Sequence, residues 1–433
     1  MIYIIFILFL LYILIILKRL KKYKFNQTKD YQYNLEHNFS KKITIQNNKI
    51  NYNVEQEETI FLKIELLFCF RTYFFKPFIK IDGQKHYFEY GAKGIRYLNL
   101  SHMKQGNIEK TNIRFKKESL HLYSFKNRNY IEDTITIIAP HADDAELAAF
   151  GLYKSAKKVT IVTVTAGENG VCNYCNLYKN KSLAALKKGE LRAFNAITTP
   201  LLGEVEQTNC LALGYFGSSL QWMRENPNSC AKSHINTITS IDLFRKVSHS
   251  NIQLKSSVTP NYSSLKNDLR EILLQTKPTI IVSPHPEIDS HPDHKESTYL
   301  IAELILEMNL QITLLLYTNH LTTSEIYPFG NMYSPITLPP NFKDFYFDSI
   351  YSLPLDKQLQ KDKFFAIESM HDLRDSLVQL SIKKAYKFML KLLKSKLFSK
   401  DKSYYRRAVR SNELFFVLQT QDTLKQLLQT KKA

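Results

Sequence analysis

Two short clusters in this 433-residue chain carry residue types that bind metals and move protons. The first is His141-Ala142-Asp143-Asp144 and the second is His291-Pro292-Asp293-His294. Each follows an apolar, β-branched run. Thr134 to Ala139 precedes the first and is closed by Pro140; Thr279 to Ser283 precedes the second, with Pro284-His285-Pro286 between. Runs of this kind read as buried strands. A strand that stops in His and Asp marks the carboxyl edge of an open α/β sheet, where ligands bind. Two imidazoles and one carboxylate from two such ends make a facial site with open positions for water and substrate. That set suits a hydrolytic Zn²⁺ or another divalent metal.

The two clusters resemble the paired motifs of the PIG-L/LmbE family of zinc-dependent N-acetylglucosaminyl deacetylases, His-Pro-Asp-Asp and His-x-x-His. The likeness runs over residues 131–316. Ala142 stands for the usual Pro, and Ala145-Glu146 stands where Glu commonly follows the Asp pair. The resemblance implies that His141, Asp144 and His294 hold the metal and that Asp143 is the general base. It also implies that His291 stabilises the oxyanion or protonates the departing amine, with Asp293 tuning it. The activity it implies is metal-dependent removal of an N-acetyl group from an amino sugar, in a glycolipid or glycan precursor. The alternatives are a catalytically silent carbohydrate-binding or scaffold protein, and an amidase on another N-acyl sugar conjugate.

Other residues invite a role. Val159 to Thr165 reads as a further strand ending in Ala166-Gly167-Glu168-Asn169-Gly170, so Glu168 is either near substrate or a turn residue. Lys187-Lys188-Gly189-Glu190 stands where the family shows Arg-Arg-x-Glu, and Lys lacks the guanidinium fork. Cys172-Asn173-Tyr174-Cys175 has metal or redox spacing, but no second pair completes a closed zinc site. In a cytoplasmic protein the isolated Cys69, Cys210 and Cys230 are expected as thiols. Residues 209–267 read as a lid or specificity insertion. Within it Tyr215 and Trp222 are candidates either for stacking on a sugar or for the core. His285 is a further ligand candidate, and His371 a substrate-contact candidate.

The elements that must position these residues belong to the α/β class. The expected architecture is a Rossmann-like, mostly parallel sheet with helices on both faces, preceded by a small β-sandwich domain and an N-terminal membrane helix. By residue, 1–17 is the anchor, 18–41 a basic segment and linker, 42–125 the sandwich, 131–370 the deacetylase-like domain, and 371–433 a helical basic extension. Period-two patterning and hairpin dipeptides at Asn47-Asn48 and Asp82-Gly83 support the sandwich. Its Tyr87, Tyr90 and Tyr97 read as core in preference to a carbohydrate face. Ile382 to Leu397 reads as a basic amphipathic helix.

Met1 to Leu17 carries no charged side chain, and Lys18, Arg19, Lys21, Lys22 and Lys24 follow. This order is the reverse of a cleavable signal, and the positive-inside rule puts the remainder in the cytoplasm. Lys plus Arg outnumber Asp plus Glu by 59 to 40, a net charge of +19, so an anionic partner is expected. No zinc-finger spacing, RNA-recognition signature or basic zipper accompanies the charge. The expected partners are therefore an anionic membrane and an N-acetylated sugar or glycolipid, with no nucleic acid.

Overall fold

The computed structural model describes residues 2–35, 39–45, 48–51, 58–101, 103, 105–117, 120–175, 177–235, 237–255, 258–324, 326–373 and 407–431. The expected helix Ile382 to Leu397 and the turn residue Asn47 lie outside them.

The strands that carry the two clusters are neighbours. β10 (Thr134–Ala139) pairs in parallel with β11 (Lys158–Thr165) on one side and β13 (Ile280–Pro284) on the other. The register sets Ile135 opposite both Val159 and Ile280. With β12 (Cys210–Tyr215), β14 (Thr313–Tyr317), β15 (Ser349–Pro354) and β16 (Asn412–Leu418), the order is β12-β11-β10-β13-β14-β16-β15. Strands β10 to β14 are buried almost throughout, which is why they read as continuous apolar runs. The chain steps outward from β10 to β11 and β12, then returns to the opposite side of β10 as β13. Strand order thus reverses between β10 and β13, and an open sheet presents its ligand crevice at such a reversal.

The N-terminal third forms two antiparallel sheets. In one, β1 (Phe39–Ile43), β9 (Leu120–Lys126), β3 (Glu58–Leu67) and β6 (Gly94–Asn99) follow in that order, with β8 (Arg114–Phe115) also on β3. In the other the order is β2 (Lys49–Asn51), β7 (Gln105–Thr111), β4 (Phe78–Ile81) and β5 (Gln84–Tyr87). Asp82 and Gly83 connect β4 to β5 with φ of 44° and 80°, the two left-handed residues that a tight hairpin turn requires. Ile60, Leu62, Ile79, Ile108 and Leu122 share one core between these sheets.

Two features of the expected architecture need correction. The chain is mixed α/β with three sheets, and the large sheet is not closed by parallel strands. β16 and β15 join it antiparallel, Leu315 facing Val417 and Ser349 facing Val417 from the other side. Their pairing partners lie far apart in sequence, so local patterning carried no sign of it. Second, no helix among the described residues is long and apolar enough to cross a membrane, which removes the N-terminal membrane helix. α1 (Ile2–Leu20) instead uses part of its surface on the protein. Ile16 is buried, Tyr12 stacks on Phe74 at 6.0 Å, and the Arg19 guanidinium lies 4.1 Å over the Tyr90 ring. The segment read as a linker also packs: Tyr31 and Leu35 enter the main core, and Arg96 donates to the carbonyls of Gln27 and Lys29.

The helix after β10, α3 (Asp144–Ser155), breaks at Ala149, whose φ is −137°. The backbone N–H groups of Gly151 and Leu152 then donate at 2.9 Å each to the Glu413 carboxylate on β16. Lys363 on α9 (Lys357–Ser369) completes the arrangement at 2.8 Å from Glu413, both side chains being 1% exposed. Removing one partner of a buried pair strands the other charge. Lys363→Ala is therefore expected to destabilise the fold by about 3–5 kcal/mol, measured by urea unfolding.

Candidate active site

Each cluster occupies a strand-to-helix junction. Asp143 is the residue before α3, and Asp144 is its first residue. His291 precedes α8 (Pro292–Glu307), whose first turn carries Asp293 and His294. Because β10 and β13 are adjacent, the two junctions face one another. His141 Nδ1, Asp144 Oδ2 and His294 Nε2 form a triangle with sides of 3.2, 3.2 and 3.0 Å.

All three atoms are metal donors when unprotonated. Bonds of about 2.0–2.2 Å place neighbouring donors of a tetrahedral zinc site about 3.4 Å apart, so this set fits such an ion. The surrounding field fits as well. Burial alone would lower the His141 and His294 pKa, but Asp144 with Asp293 outweighs it at His141, and Asp144 with Asp289 at His294, so both are raised. Burial would raise Asp144, yet His294 and His141 hold it well below the carboxylate range. The spot stabilises positive charge.

The ligand atoms are braced from behind. His294 Nδ1 lies 3.1 Å from Asp289 Oδ2, and Asn319 Nδ2 donates to Asp144 Oδ1 at 2.8 Å. Such outer partners fix the tautomer and aim of metal-binding groups. Asp289 also accepts the backbone N–H groups of His291, Asn319 and His320 at 3.0, 3.2 and 3.1 Å, tying the ends of β13 and β14 together.

His291 is not part of the triangle, but its ring centroid is 4.6 Å from that of His141. Its Nδ1 caps α8 by accepting the Asp293 N–H at 3.2 Å. With Nδ1 an acceptor, the ring proton belongs on Nε2. Burial, then His141 and His294, push His291 down to about 4, so it is a neutral N–H donor at neutral pH. Asp293 Oδ2 is 3.4 Å from His141 Nε2 and accepts the Ser218 N–H at 2.6 Å, and its charge also acts on His291, raising that pKa against burial. Asp143 meets Arg192 on α4 (Lys181–Thr198), Nη2 donating to Oδ1 at 2.7 Å.

The remaining candidates have partners of their own. His285 lies among Phe345 and Phe416, and burial pushes it down to about 3. Glu168 is buried with both oxygens engaged, by the Gly217 N–H at 3.0 Å and the Ser233 hydroxyl at 2.9 Å. It pins the insertion to the sheet edge. Tyr215 is core and donates to Asp268 at 2.8 Å, while Trp222 on α5 (Leu220–Glu225) is 42% exposed. Tyr87 and Tyr97 are buried. Lys188 turns to the carbonyls of Asn169 and Val171, and Lys187 pairs with Glu190. Cys172 and Cys175 form a disulfide; Cys69, Cys210 and Cys230 are free. His371 stacks on Tyr174, its Nδ1 3.1 Å from the hydroxyl.

His320, Asn319, Asp289, Arg192 and Asp372 join the site outside the two sequence clusters. Metal-type donor atoms of Asp144, His294 and His320 lie within 4.8 Å of one another, as do those of His141, His291 and His294. The missed signal was a third strand end: Leu314 to Tyr317 closes in Thr318-Asn319-His320, the same pattern as the other two.

Residues 136–305 match the family described as PIG-L: GlcNAc-PI de-N-acetylase. No curated protein matches the chain. Among solved structures, a deacetylase triple mutant of the teicoplanin biosynthetic pathway is 16% identical, with a TM-score of 0.34, over 67% of this chain and 99% of that one. The A40926 pseudoaglycone deacetylase Dbv21 is 15% identical, TM-score 0.34, over 66% and 98%. The N,N'-diacetylchitobiose deacetylase of Pyrococcus horikoshii is 15% identical, TM-score 0.33, over 66% and 84%.

Proposed function

We propose that this chain, whose residues 136–305 are a PIG-L family domain, is a metal-dependent hydrolase that removes an N-acetyl group from an amino sugar. The observation that carries the reading is the three-donor triangle with a carboxylate, Asp143, next to Asp144 in sequence and a neutral imidazole N–H donor, His291, beside it. His141, Asp144 and His294 would hold the ion. When bound, zinc supplies a Lewis acid for the acetamide carbonyl and lowers the pKa of a water to about 7. The Asp143 carboxylate would be the base that takes a proton from the attacking water. His291 Nε2–H donates to the oxygen on which negative charge develops. Asp293 holds His141 from the side away from the donors. The C–N bond breaks, water supplies the hydroxyl of acetate and the proton of the amine, and no redox partner is needed.

The finer substrate is an amino sugar within a glycolipid or glycan precursor. Metal-loaded protein should convert N-acetylglucosamine conjugates to products lacking one acetyl group, read by mass spectrometry. A protein that binds metal and such sugars yet leaves every acetyl group in place would be the silent sugar-binding protein instead.

An anionic lipid surface is the second partner in this proposal, contacted without being crossed. Its support is the +19 charge together with exposed Tyr3, Phe6, Leu10, Leu14 and Leu17 on α1 and Phe68, Phe70 and Phe75 beyond β3. Each basic residue near such a surface contributes about 1 kcal/mol and is screened by salt. The full chain should float with vesicles containing phosphatidylserine more than with neutral vesicles, and less at high salt. Equal flotation with both would remove the anionic partner.

A further inference from the structure

We propose that Asp372 is a positioning residue for the reaction, fixing the Asp143 carboxylate through the guanidinium of Arg192. The inference rests on the deacetylase reading above. Arg192 is a two-pronged link: Nη2 donates to Asp143 Oδ1 at 2.7 Å and Nη1 to Asp372 Oδ2 at 2.5 Å. Its side chain is 10% exposed, with Asp143 at 15% and Asp372 at 4%. A guanidinium holding Asp143 alone would be free to swing about its long side chain. A second carboxylate on the other prong removes that freedom, because the planar fork has one orientation that serves both. Asp143 is then held by Oδ1, and Oδ2 is left for the attacking water.

Separate features converge on this clamp. Gly167 has φ of +60°, and a Cβ there would come within 2.5 Å of Arg192 Nε, so the loop after β11 gives way where the guanidinium passes. The same loop then grips the far anchor. Asn173 Nδ2 donates to the Asp372 carbonyl at 2.6 Å, and the Tyr174 hydroxyl reaches His371 Nδ1 at 3.1 Å. The Cys172–Cys175 disulfide closes the chain around Asn173 and Tyr174. Arg192 follows Lys188 by four residues on α4, hence on the same face. It supplies the fork that Lys187 and Lys188 lack.

The test compares the full-length wild type, Asp372→Asn, Asp372→Glu and Arg192→Lys, each loaded with zinc. A hydrogen bond between charged groups is worth about 1.5–3 kcal/mol, or about 10- to 100-fold. Asp372→Asn and Arg192→Lys should lower kcat by that factor, with KM and bound zinc within about twofold of wild type. Asp372→Glu, which keeps the carboxylate, should recover part of the loss. A wild-type kcat in Asp372→Asn, or a loss that falls on KM or zinc content, overturns the clamp.

A second readout needs no substrate. Urea unfolding of Arg192→Gln, Asp372→Asn and the double variant should show coupling of about tenfold in the unfolding constant. Strict additivity overturns the clamp whatever the activity. Acetate release by the wild type reports separately on the deacetylase reading.

Discussion

Purified His141→Ala, Asp144→Ala and His294→Ala variants are expected to lose bound metal and acetate release together, each by at least about 100-fold. The bound follows from what braces do: mutating an outer partner of a metal ligand typically costs about 10- to 100-fold in affinity, and removing a ligand removes more. Each of the three supplies one corner of the triangle, and two corners cannot enclose an ion. A graded comparison strengthens the result. Asp289→Asn leaves all three corners but changes the partner of His294 Nδ1, so its loss should be smaller than that of His294→Ala. His285→Ala, among Phe345 and Phe416 and supplying no corner of the triangle, should leave metal content unchanged. Full metal occupancy in any of the three ligand variants would refute the assignment.

The second expected result separates metal from chemistry. Asp143→Asn should retain the ion, because no corner of the triangle comes from Asp143. Its amide oxygen can still accept from Arg192 Nη2, so the junction between β10 and α3 keeps its shape. An amide does not take a proton from water, and loss of a positioned base typically costs about 10²- to 10⁴-fold. The prediction is a kcat lower by at least about 100-fold, with zinc content at the wild-type level. Turnover near wild type would assign the base elsewhere. Glu168 is a poor substitute, since both its oxygens are committed to Gly217 and Ser233.

What the sequence disclosed follows from which interactions are local. His141, Asp144 and His294 were legible because an apolar run, a proline and a cluster of His and Asp sit together in the chain. The resemblance to known motifs then supplied the roles. That the clusters meet depends on β10 lying beside β13, and alternating strands and helices already imply such neighbours. The braces were not legible. Asp372 acts from beyond α9, and Asn319 from beyond β14, with no spacing rule linking either to Asp143 or Asp144. Glu168 sat at a sheet edge as expected, but its aim, inward to Gly217 and Ser233, is set by tertiary packing. The expected membrane helix fails for a related reason. Apolar character alone does not say whether a face meets lipid or Tyr90 and Phe74.

The most direct test of the central claim is acetate release from an N-acetylglucosamine conjugate, quantified against free amine, before chelation, after complete metal removal and after zinc is restored. The account predicts one acetate per amine from the loaded protein, loss on chelation, and recovery with zinc. Acetate release that persists after complete metal removal would contradict it, as would metal-loaded protein that releases none from any N-acetylated sugar.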